Sequence, residues 1–275
     1  MKKKLTLLIF AIIFIACKEN THRSIDVFAG SASLPPLNEI ANLFTKETGI
    51  EVRRIYGGSG TVLSEMILSK RGDIYLPGSP DFMDIAIAKG VVKACDVKII
   101  AYLVPAIIVQ KSNPKNIKGL QDLLRDDVTF AIGDPRSVCV GLYAAEILEK
   151  SELATLARKK IKTYGESCEK TANLISMKAV DAVIGWDVFE KWNPDSSQSI
   201  KIDSAFLKRA AYIPVALSNY SSNPEDAIRF LNFISSTKGK EIYKKYGYIT
   251  EPGELKNIYG NISIGGNYKI NEIWK

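Results

Sequence analysis

A glycine-rich turn that carries one serine, Gly57-Gly58-Ser59-Gly60, is the stretch of this sequence whose residue types could hold a ligand. It lies between an apolar run that predicts a strand, residues 52–56, and an amphipathic run that predicts a helix, residues 61–70. The first N–H groups of a helix have no partners within the helix, and the helix dipole adds partial positive charge beside them. The turn could therefore bind an anion, although Gly-Ser-Gly between a strand and a helix also serves as an ordinary loop.

A second serine-rich loop precedes this turn in the chain, and it too lies between a predicted strand and a predicted helix. Residues 25–29 predict a strand, and apolar residues then recur at helical spacing from Leu37 to Phe44. Ser33 stands just before this helix, where a serine ordinarily caps the helix start, but its hydroxyl could also turn to a ligand. Strands and helices continue to alternate, which predicts an α/β protein with helices on both faces of a sheet.

Two long extended runs, residues 101–110 with Pro105 and residues 210–217 with Pro214, enclose a second set of alternating elements. These runs are either ordinary central strands or the two crossings of a hinge between lobes. The enclosed elements are strands at residues 128–132 and 182–186 and helices at residues 140–150, 153–160 and 169–177. After residue 250 the sequence has no clear periodicity, so residues 251–275 are a C-terminal tail without an assigned role.

The N-terminus predicts export. Three lysines precede an uncharged apolar run at residues 5–16, which is the pattern of a secretory signal peptide. The end of this run, together with the following Cys17, resembles a bacterial lipobox. We therefore expect Cys17 to carry a lipid that anchors the protein to a membrane. The alternative is a plain signal peptide beside an incidental cysteine. Residues 17–24 are polar and predict a flexible linker.

Charge and residue usage argue against several other classes of protein. The net charge of +7 comes from basic residues that are scattered among acids, which argues against a nucleic-acid groove. The only histidine, His22, lies in the linker, and the spacing of the cysteines matches no zinc pattern. We therefore predict no catalytic function, no metal site and no cofactor. Four aspartates could act as acids or bases in an enzyme: Asp73, Asp134, Asp181 and Asp187. The alternative for each is an ordinary capping or loop role.

Several separated motifs, taken together, resemble those of bacterial periplasmic molybdate-binding proteins, the receptors of molybdate and tungstate ABC importers. In chain order they are VFAGSASL at residues 27–34, FTKETGI at 44–50, GGSG at 57–60, AIGDP at 131–135, GLYA at 141–144 and DAVI at 181–184. The resemblance covers nearly all of residues 25–250.

This resemblance implies a type II periplasmic binding protein, in which two α/β lobes, each a mixed sheet flanked by helices, close on a ligand. Lobe I would comprise residues 25–104 and 214–250, and lobe II residues 105–213. It further implies a monomer that delivers a small anion to the permease of an ABC transporter at the membrane.

The resemblance also implies a ligand set. The anion would be held by the hydroxyls of Ser33 and Ser59 and by the backbone N–H groups of Val140 and Cys168. Neutral donors of this kind bind an oxyanion at less desolvation cost than a buried ion pair. Where the family has a tyrosine, this chain has Trp186, whose indole N–H can donate but cannot accept.

Two cysteines distinguish this chain from the family pattern. By the resemblance, Cys139 and Cys168 both map to helix starts that face the ligand. We hypothesise a disulfide between them, because an exported protein meets an oxidising compartment. The alternatives are two buried free thiols, or thiols that bind a soft metal or a thiophilic oxyanion.

The predicted function is therefore an ABC importer receptor for a tetrahedral oxyanion, with molybdate or tungstate first. An alternative keeps the fold and changes the anion to phosphate, sulfate or vanadate. A sensor that reports the ligand to a membrane partner and an enzyme that handles a phosphorylated substrate are the rival classes.

Overall fold

A computed structural model of the chain describes residues 23–260 and 262–274. The expected signal peptide, Cys17, His22 and most of the linker lie outside the described residues. In the part of the chain that is described, no helix combines the length and apolar character that crossing a membrane requires.

Eleven strands and ten helices alternate along the described residues. The strands are β1 (Ser24–Gly30), β2 (Glu51–Gly57), β3 (Ile74–Leu76), β4 (Lys98–Leu103), β5 (Pro105–Gln110), β6 (Phe130–Gly133), β7 (Ile161–Gly165), β8 (Ala182–Trp186), β9 (Ser197–Lys201), β10 (Arg209–Leu217) and β11 (Ser263–Ile264). The helices are α1 (Leu34–Thr48), α2 (Ser59–Ser69), α3 (Pro80–Ala88), α4 (Cys139–Lys150), α5 (Ala154–Lys160), α6 (Cys168–Ser176), α7 (Phe189–Trp192), α8 (Pro224–Ile234), α9 (Thr237–Lys245) and α10 (Pro252–Tyr259).

The strands form two separate mixed sheets, which confirms the predicted α/β architecture. The first has the order β11-β10-β3-β1-β2, with β4 also pairing to β10. Here β1 runs parallel to β2 and β3, and β10 is antiparallel to β3 and β4. The second has the order β7-β6-β8-β5-β9, with β6 parallel to β7 and β8 and β5 antiparallel to β8 and β9. Helices cover the sheets, as the alternating sequence pattern requires.

The chain passes between the sheets twice. It leaves the first sheet after β4 and enters the second at β5, so the first crossing lies at Val104. It returns in residues 202–208, because β10 pairs with β4 from Ala211 onward. This return precedes the expected boundary between residues 213 and 214. Pro214 does not end the strand pairing but sits at a register shift in it, where a residue without an N–H is tolerated.

Apolar periodicity explains how the helices dock on the sheets. In α1, Leu37, Ile40, Ala41 and Phe44 are buried, as their helical spacing predicts. Gly49 ends this helix with a φ of 71°, a left-handed conformation that glycine adopts without steric cost.

The C-terminal tail, for which the sequence predicted no structure, packs on the protein. It contains α10 and β11, and Leu255 and Trp274 are buried in the core that lies on the second sheet. The indole N–H of Trp274 donates to Glu149 on α4. The tail thus covers part of the second sheet and, through β11, adds an edge to the first.

Candidate functional site

Four helix starts meet where the two halves of the protein face each other. Strands β1, β2, β6 and β7 lead into α1, α2, α4 and α6 through short connections, so these helix N-termini lie at the carboxyl ends of their strands. Two backbone contacts join the halves here: Gly60 N–H donates to the carbonyl of Ser137 at 2.8 Å, and Glu169 N–H donates to Ser31 Oγ at 3.1 Å. The facing N–H groups and helix dipoles make this cleft electropositive without the use of a basic side chain.

Ser33 stands directly before α1, one of these four helix starts. It occupies the N-cap position of α1 but makes no cap hydrogen bond. A cap accepts from the N–H of the second or third helical residue, and these are Pro35 and Pro36, which have no N–H. Ser33 is fully buried, and its Oγ has no hydrogen-bond partner in the described ranges. The hydroxyl of Tyr243, on α9, lies beside it and interacts with it, but neither hydroxyl makes a well-formed hydrogen bond within the described residues.

Ser59 begins α2 and makes two hydrogen bonds within the first half of the protein. Its Oγ accepts from the N–H of Gly78 at 3.0 Å, and its carbonyl accepts from the hydroxyl of Tyr75 at 3.0 Å. Its own O–H, the donor available to a ligand, is directed at the sulfur of Cys139. The neighbouring Ser79 is fully buried, and among residues 23–260 and 262–274 nothing pairs with its Oγ.

The second half contributes Cys139, Cys168 and Trp186. Each cysteine is the first residue of its helix, both are buried, and their sulfurs are 3.3 Å apart. Both are free thiols in this structure. The backbone N–H of Val140 points at the two sulfurs. The indole of Trp186 is fully buried beside them, and its N–H makes no well-formed hydrogen bond within the described part of the chain.

The two thiols differ in acidity. Burial raises the pKa of the Cys139 thiol, but hydrogen bonds from Cys168, Ser59 and Trp186 outweigh it, so the net direction of this pKa is downward. Burial, together with the adjacent Cys139, raises the pKa of Cys168 well above its ordinary value. Cys139 is therefore the first of the two thiols to lose its proton as the pH rises.

A groove of about 390 Å³ opens at the rim of the cleft, lined in part by Ser31, Tyr56, Ser137, Glu166 and Lys170. Glu166 and Lys170 form an ion pair, and the lining also includes Asp134, which pairs with Arg136, and Glu169. Acids thus outnumber bases in the lining of this groove, whereas the interior groups of the cleft, its serine hydroxyls and the Trp186 indole, are neutral.

Four aspartates considered from the sequence have structural roles. Asp73 accepts from the N–H of Asp26 and from Ser221 Oγ, and Asp181 accepts from the N–H and hydroxyl of Thr129. Asp134 pairs with Arg136, and Asp187 accepts from Val188 N–H and the hydroxyl of Tyr259. Across the residues with described structure, no group of three or more His, Cys, Asp or Glu side chains is placed to hold a metal ion.

A buried ionic cluster lies behind the cleft, where β10 follows the second crossing. Arg209 Nε donates to Glu146 on α4 at 2.7 Å, and its Nη1 lies 2.9 Å from Asp81 on α3. All three side chains are about 90% buried or more. The guanidinium also stacks 4.1 Å from the ring centre of Tyr143, which itself contacts Trp186 edge to face. The cluster joins a helix of the first half to a helix of the second.

Four of the five residues predicted to contact a ligand, Ser59, Val140, Cys168 and Trp186, lie around the sulfur of Cys139, and the fifth, Ser33, stands at the start of α1 beside Tyr243. Sequence reasoning missed two further buried polar side chains, Ser79 next to Gly78 and Tyr243 beside Ser33. Two lobes, each with its own sheet, two chain crossings and a cleft lined by helix N-termini define the class of two-lobed periplasmic binding proteins.

Comparison with known proteins identifies the family to which the chain belongs. The profile described as bacterial extracellular solute-binding protein matches residues 25–249, so the chain belongs to this family. It is 27% identical over 229 residues to the molybdate-binding protein ModA of Rhodobacter capsulatus, a match that covers 78% of this chain and 84% of the relative.

Solved structures show the same fold. The sulfate-binding protein SubI from Mycobacterium tuberculosis superimposes with a TM-score of 0.74 at 18% identity, covering 88% of this chain and 93% of that one. The periplasmic molybdate-binding protein of Azotobacter vinelandii gives a TM-score of 0.70 at 16% identity, covering 82% and 99%. The resemblance inferred from the sequence motifs is thereby confirmed for the family and the two-lobed fold.

Proposed function

We propose that this protein captures a tetrahedral oxyanion between its two lobes, with molybdate or tungstate as the first candidate, and delivers it to an ABC transporter permease. Ser33, Ser59, Trp186 and the amides of Val140 and Cys168 would donate to the anion. Ser79 and Tyr243 extend this set of donors. Membership of the solute-binding family and the molybdate-binding relative support the proposal.

One observation carries it: buried donors in the cleft have no partners within the described residues. Ser33 Oγ and Ser79 Oγ are in this position, and the Trp186 N–H faces the Cys139 sulfur without making a well-formed hydrogen bond to it. A buried polar group without a hydrogen bond costs about 1–3 kcal/mol, and native proteins keep few of them. An oxyanion, which offers acceptor oxygens in several directions, would satisfy donors that converge from both lobes.

The chemistry of the donors favours a fully deprotonated dianion. The indole N–H and the backbone N–H groups can only donate, so an O–H on the ligand opposite them would be left without an acceptor. Molybdate, tungstate and sulfate present acceptors on every oxygen at neutral pH, whereas hydrogen phosphate carries one proton. Sulfate is therefore the second candidate, and the fold it shares with a sulfate-binding protein is compatible with it.

Closure would be the signal for transport. A ligand that touches both lobes stabilises the closed form by its differential contacts, and a permease can then recognise that form. The predicted lipid on Cys17 would hold the protein at the membrane beside its permease. The sensor function shares this site, and co-purification with a permease rather than with a signalling protein separates the two.

Calorimetry against a panel of molybdate, tungstate, sulfate, phosphate and vanadate tests the proposal. We expect molybdate and tungstate to bind with micromolar or lower Kd and phosphate to bind much more weakly. Tight binding of sulfate alone would change the ligand and keep the mechanism. A protein that binds none of the five would overturn the proposed function. Ser69→Ala, on the exposed end of α2, is the control that should bind as the unmodified chain does.

A further inference from the structure

The thiols of Cys139 and Cys168 occupy the centre of the cleft rather than its periphery. The sulfurs are 3.3 Å apart, beyond the length of a covalent bond and at the distance of a thiol hydrogen bond. Ser59 of the first lobe and Trp186 of the second both lie beside Cys139. The amide of Val140, a donor predicted for the ligand, points at these same sulfurs. The Cys139 sulfur thus lies among the donors that the anion would need.

We propose that Cys139 and Cys168 form a reversible dithiol–disulfide switch that sets the affinity of the cleft, with the disulfide form binding the anion and the dithiol form binding it more weakly. The proposal rests on the proposed oxyanion-binding function.

The oxidant would be a disulfide, either a small molecule such as oxidised glutathione or that of a thiol–disulfide oxidoreductase. The Cys139 thiolate attacks one sulfur of the oxidant and releases its first thiol. Cys168 then attacks the Cys139 sulfur of the mixed disulfide and releases the second thiol. The pair loses two electrons and two protons, and the oxidant takes up both to become two thiols. Cys139, as the more acidic thiol, is suited to the first attack.

The sign of the effect follows from charge. A thiolate on Cys139 puts a negative charge among the donors and repels a dianion, while a disulfide is neutral and cannot ionise. The other titratable groups facing the pair are the phenols of Tyr75 on β3, Tyr143 on α4 and Tyr248 after α9. Burial raises the pKa of all three, so they stay neutral and do not offset that charge. Oxidation should therefore strengthen anion binding, and more so as the pH rises.

Lobe opening gives the oxidant access. A Cβ added to Gly78 of the first lobe would lie 2.6 Å from the sulfur of Cys139, so this lobe covers the thiol directly when the cleft is closed. A bound anion that holds the lobes together should then slow thiol reactions, and reaction of the thiols should in turn alter anion binding.

The test compares calorimetry of the chain equilibrated with oxidised glutathione and with a reducing agent. Cys95→Ser is the background, because Cys95 is the exposed free thiol outside the cleft. We expect non-reducing peptide mapping to find Cys139 joined to Cys168 only in the oxidised sample. We also expect molybdate or sulfate to bind the oxidised form about tenfold more tightly or better, a difference near 1.4 kcal/mol. In Cys168→Ser no second thiol can resolve the mixed disulfide on Cys139, so oxidised glutathione should not produce the tighter-binding form.

Two results separate the switch from the function on which it rests. Equal affinity in both forms, or failure of the pair to form a disulfide in the folded protein, overturns the switch and leaves oxyanion binding intact. If neither form binds any oxyanion, the proposed function fails and the switch fails with it. A second readout is the alkylation rate of the reduced cleft thiols, which saturating molybdate should slow; an unchanged rate would show that the anion does not close the cleft over them.

Discussion

The hydroxyl of Ser33 is buried, has no partner in the described part of the chain and cannot cap α1, because prolines follow it. We expect Ser33→Ala to weaken anion binding by about 1.5–3 kcal/mol, the scale of a hydrogen bond to a charged group. That is a rise in Kd of roughly 10-fold to 150-fold. The stability of the ligand-free protein should change by less than about 1 kcal/mol, because the hydroxyl makes no helix-cap bond and its interaction with Tyr243 is not a well-formed hydrogen bond.

Ser59→Ala provides the comparison. It should lower the affinity by a similar amount, but it also removes the acceptor of the Gly78 N–H. A buried N–H left unpaired costs about 1–3 kcal/mol, so the ligand-free protein should lose that much unfolding free energy. Ser69→Ala, which loses an exposed bond to a helix carbonyl, is the control for both properties.

Calorimetry with molybdate, or with whichever oxyanion binds most tightly, measures the affinity of the variants, and urea unfolding without ligand measures their stability. Two results would refute the reasoning. If Ser33→Ala leaves Kd unchanged, its hydroxyl does not reach the anion. If Ser33→Ala destabilises the ligand-free protein as much as Ser59→Ala does, the hydroxyl has a structural partner that the geometry does not reveal.

Three further substitutions test the surroundings of the cleft by urea unfolding. Arg209→Met leaves Asp81 and Glu146 buried without their cation and should cost about 3–5 kcal/mol; a loss below about 1 kcal/mol would contradict a buried ionic cluster. Burial raises the pKa of Asp187 to about 6, above its unfolded value of about 4. Protonated Asp187 therefore contributes its full stabilisation below about pH 4, and the unfolding free energy should fall by about 3 kcal/mol as the pH rises through 6. Asp187→Asn should flatten this fall, and an unchanged pH profile would assign it to other groups. Trp274→Ala should cost about 3–5 kcal/mol if the tail is part of the folded core, and near zero if the tail is dispensable.

The sequence predicted those parts of the fold that rest on local patterns. Helical spacing gave α1, and its end at Gly49 follows from the conformational freedom of glycine. The Pro35–Pro36 pair could also have shown that Ser33 is free of capping, since neither residue has an N–H to donate. The glycine-rich turn was assigned as a loop followed by a helix, and the helix begins two residues earlier than expected, at Ser59.

Features that depend on contacts between distant segments were not predictable in this way. Ser79 comes near Cys139 only because it follows Gly78, which packs on that sulfur, and Tyr243 meets Ser33 only because α9 packs on α1; neither stands in a recognisable motif. The tail shows no periodicity because short elements and single anchors such as Trp274 hold it, rather than one amphipathic face. Pro214 suggested a crossing, but a bulge in β10 accommodates a residue without an N–H inside the first sheet.

The Arg209 cluster also bears on how the cleft can open. It ties α3 of one lobe to α4 of the other beside the second crossing, and its side chains are almost without solvent access. Separating buried charges is costly, because each partner would lose its counterion before water replaced it. Across the cleft, the Gly60 N–H donates to the Ser137 carbonyl close to Phe82, which follows Asp81 in α3. We therefore expect an opening of the cleft to keep the cluster intact and to part the helix starts, which would expose both the donors and the thiols.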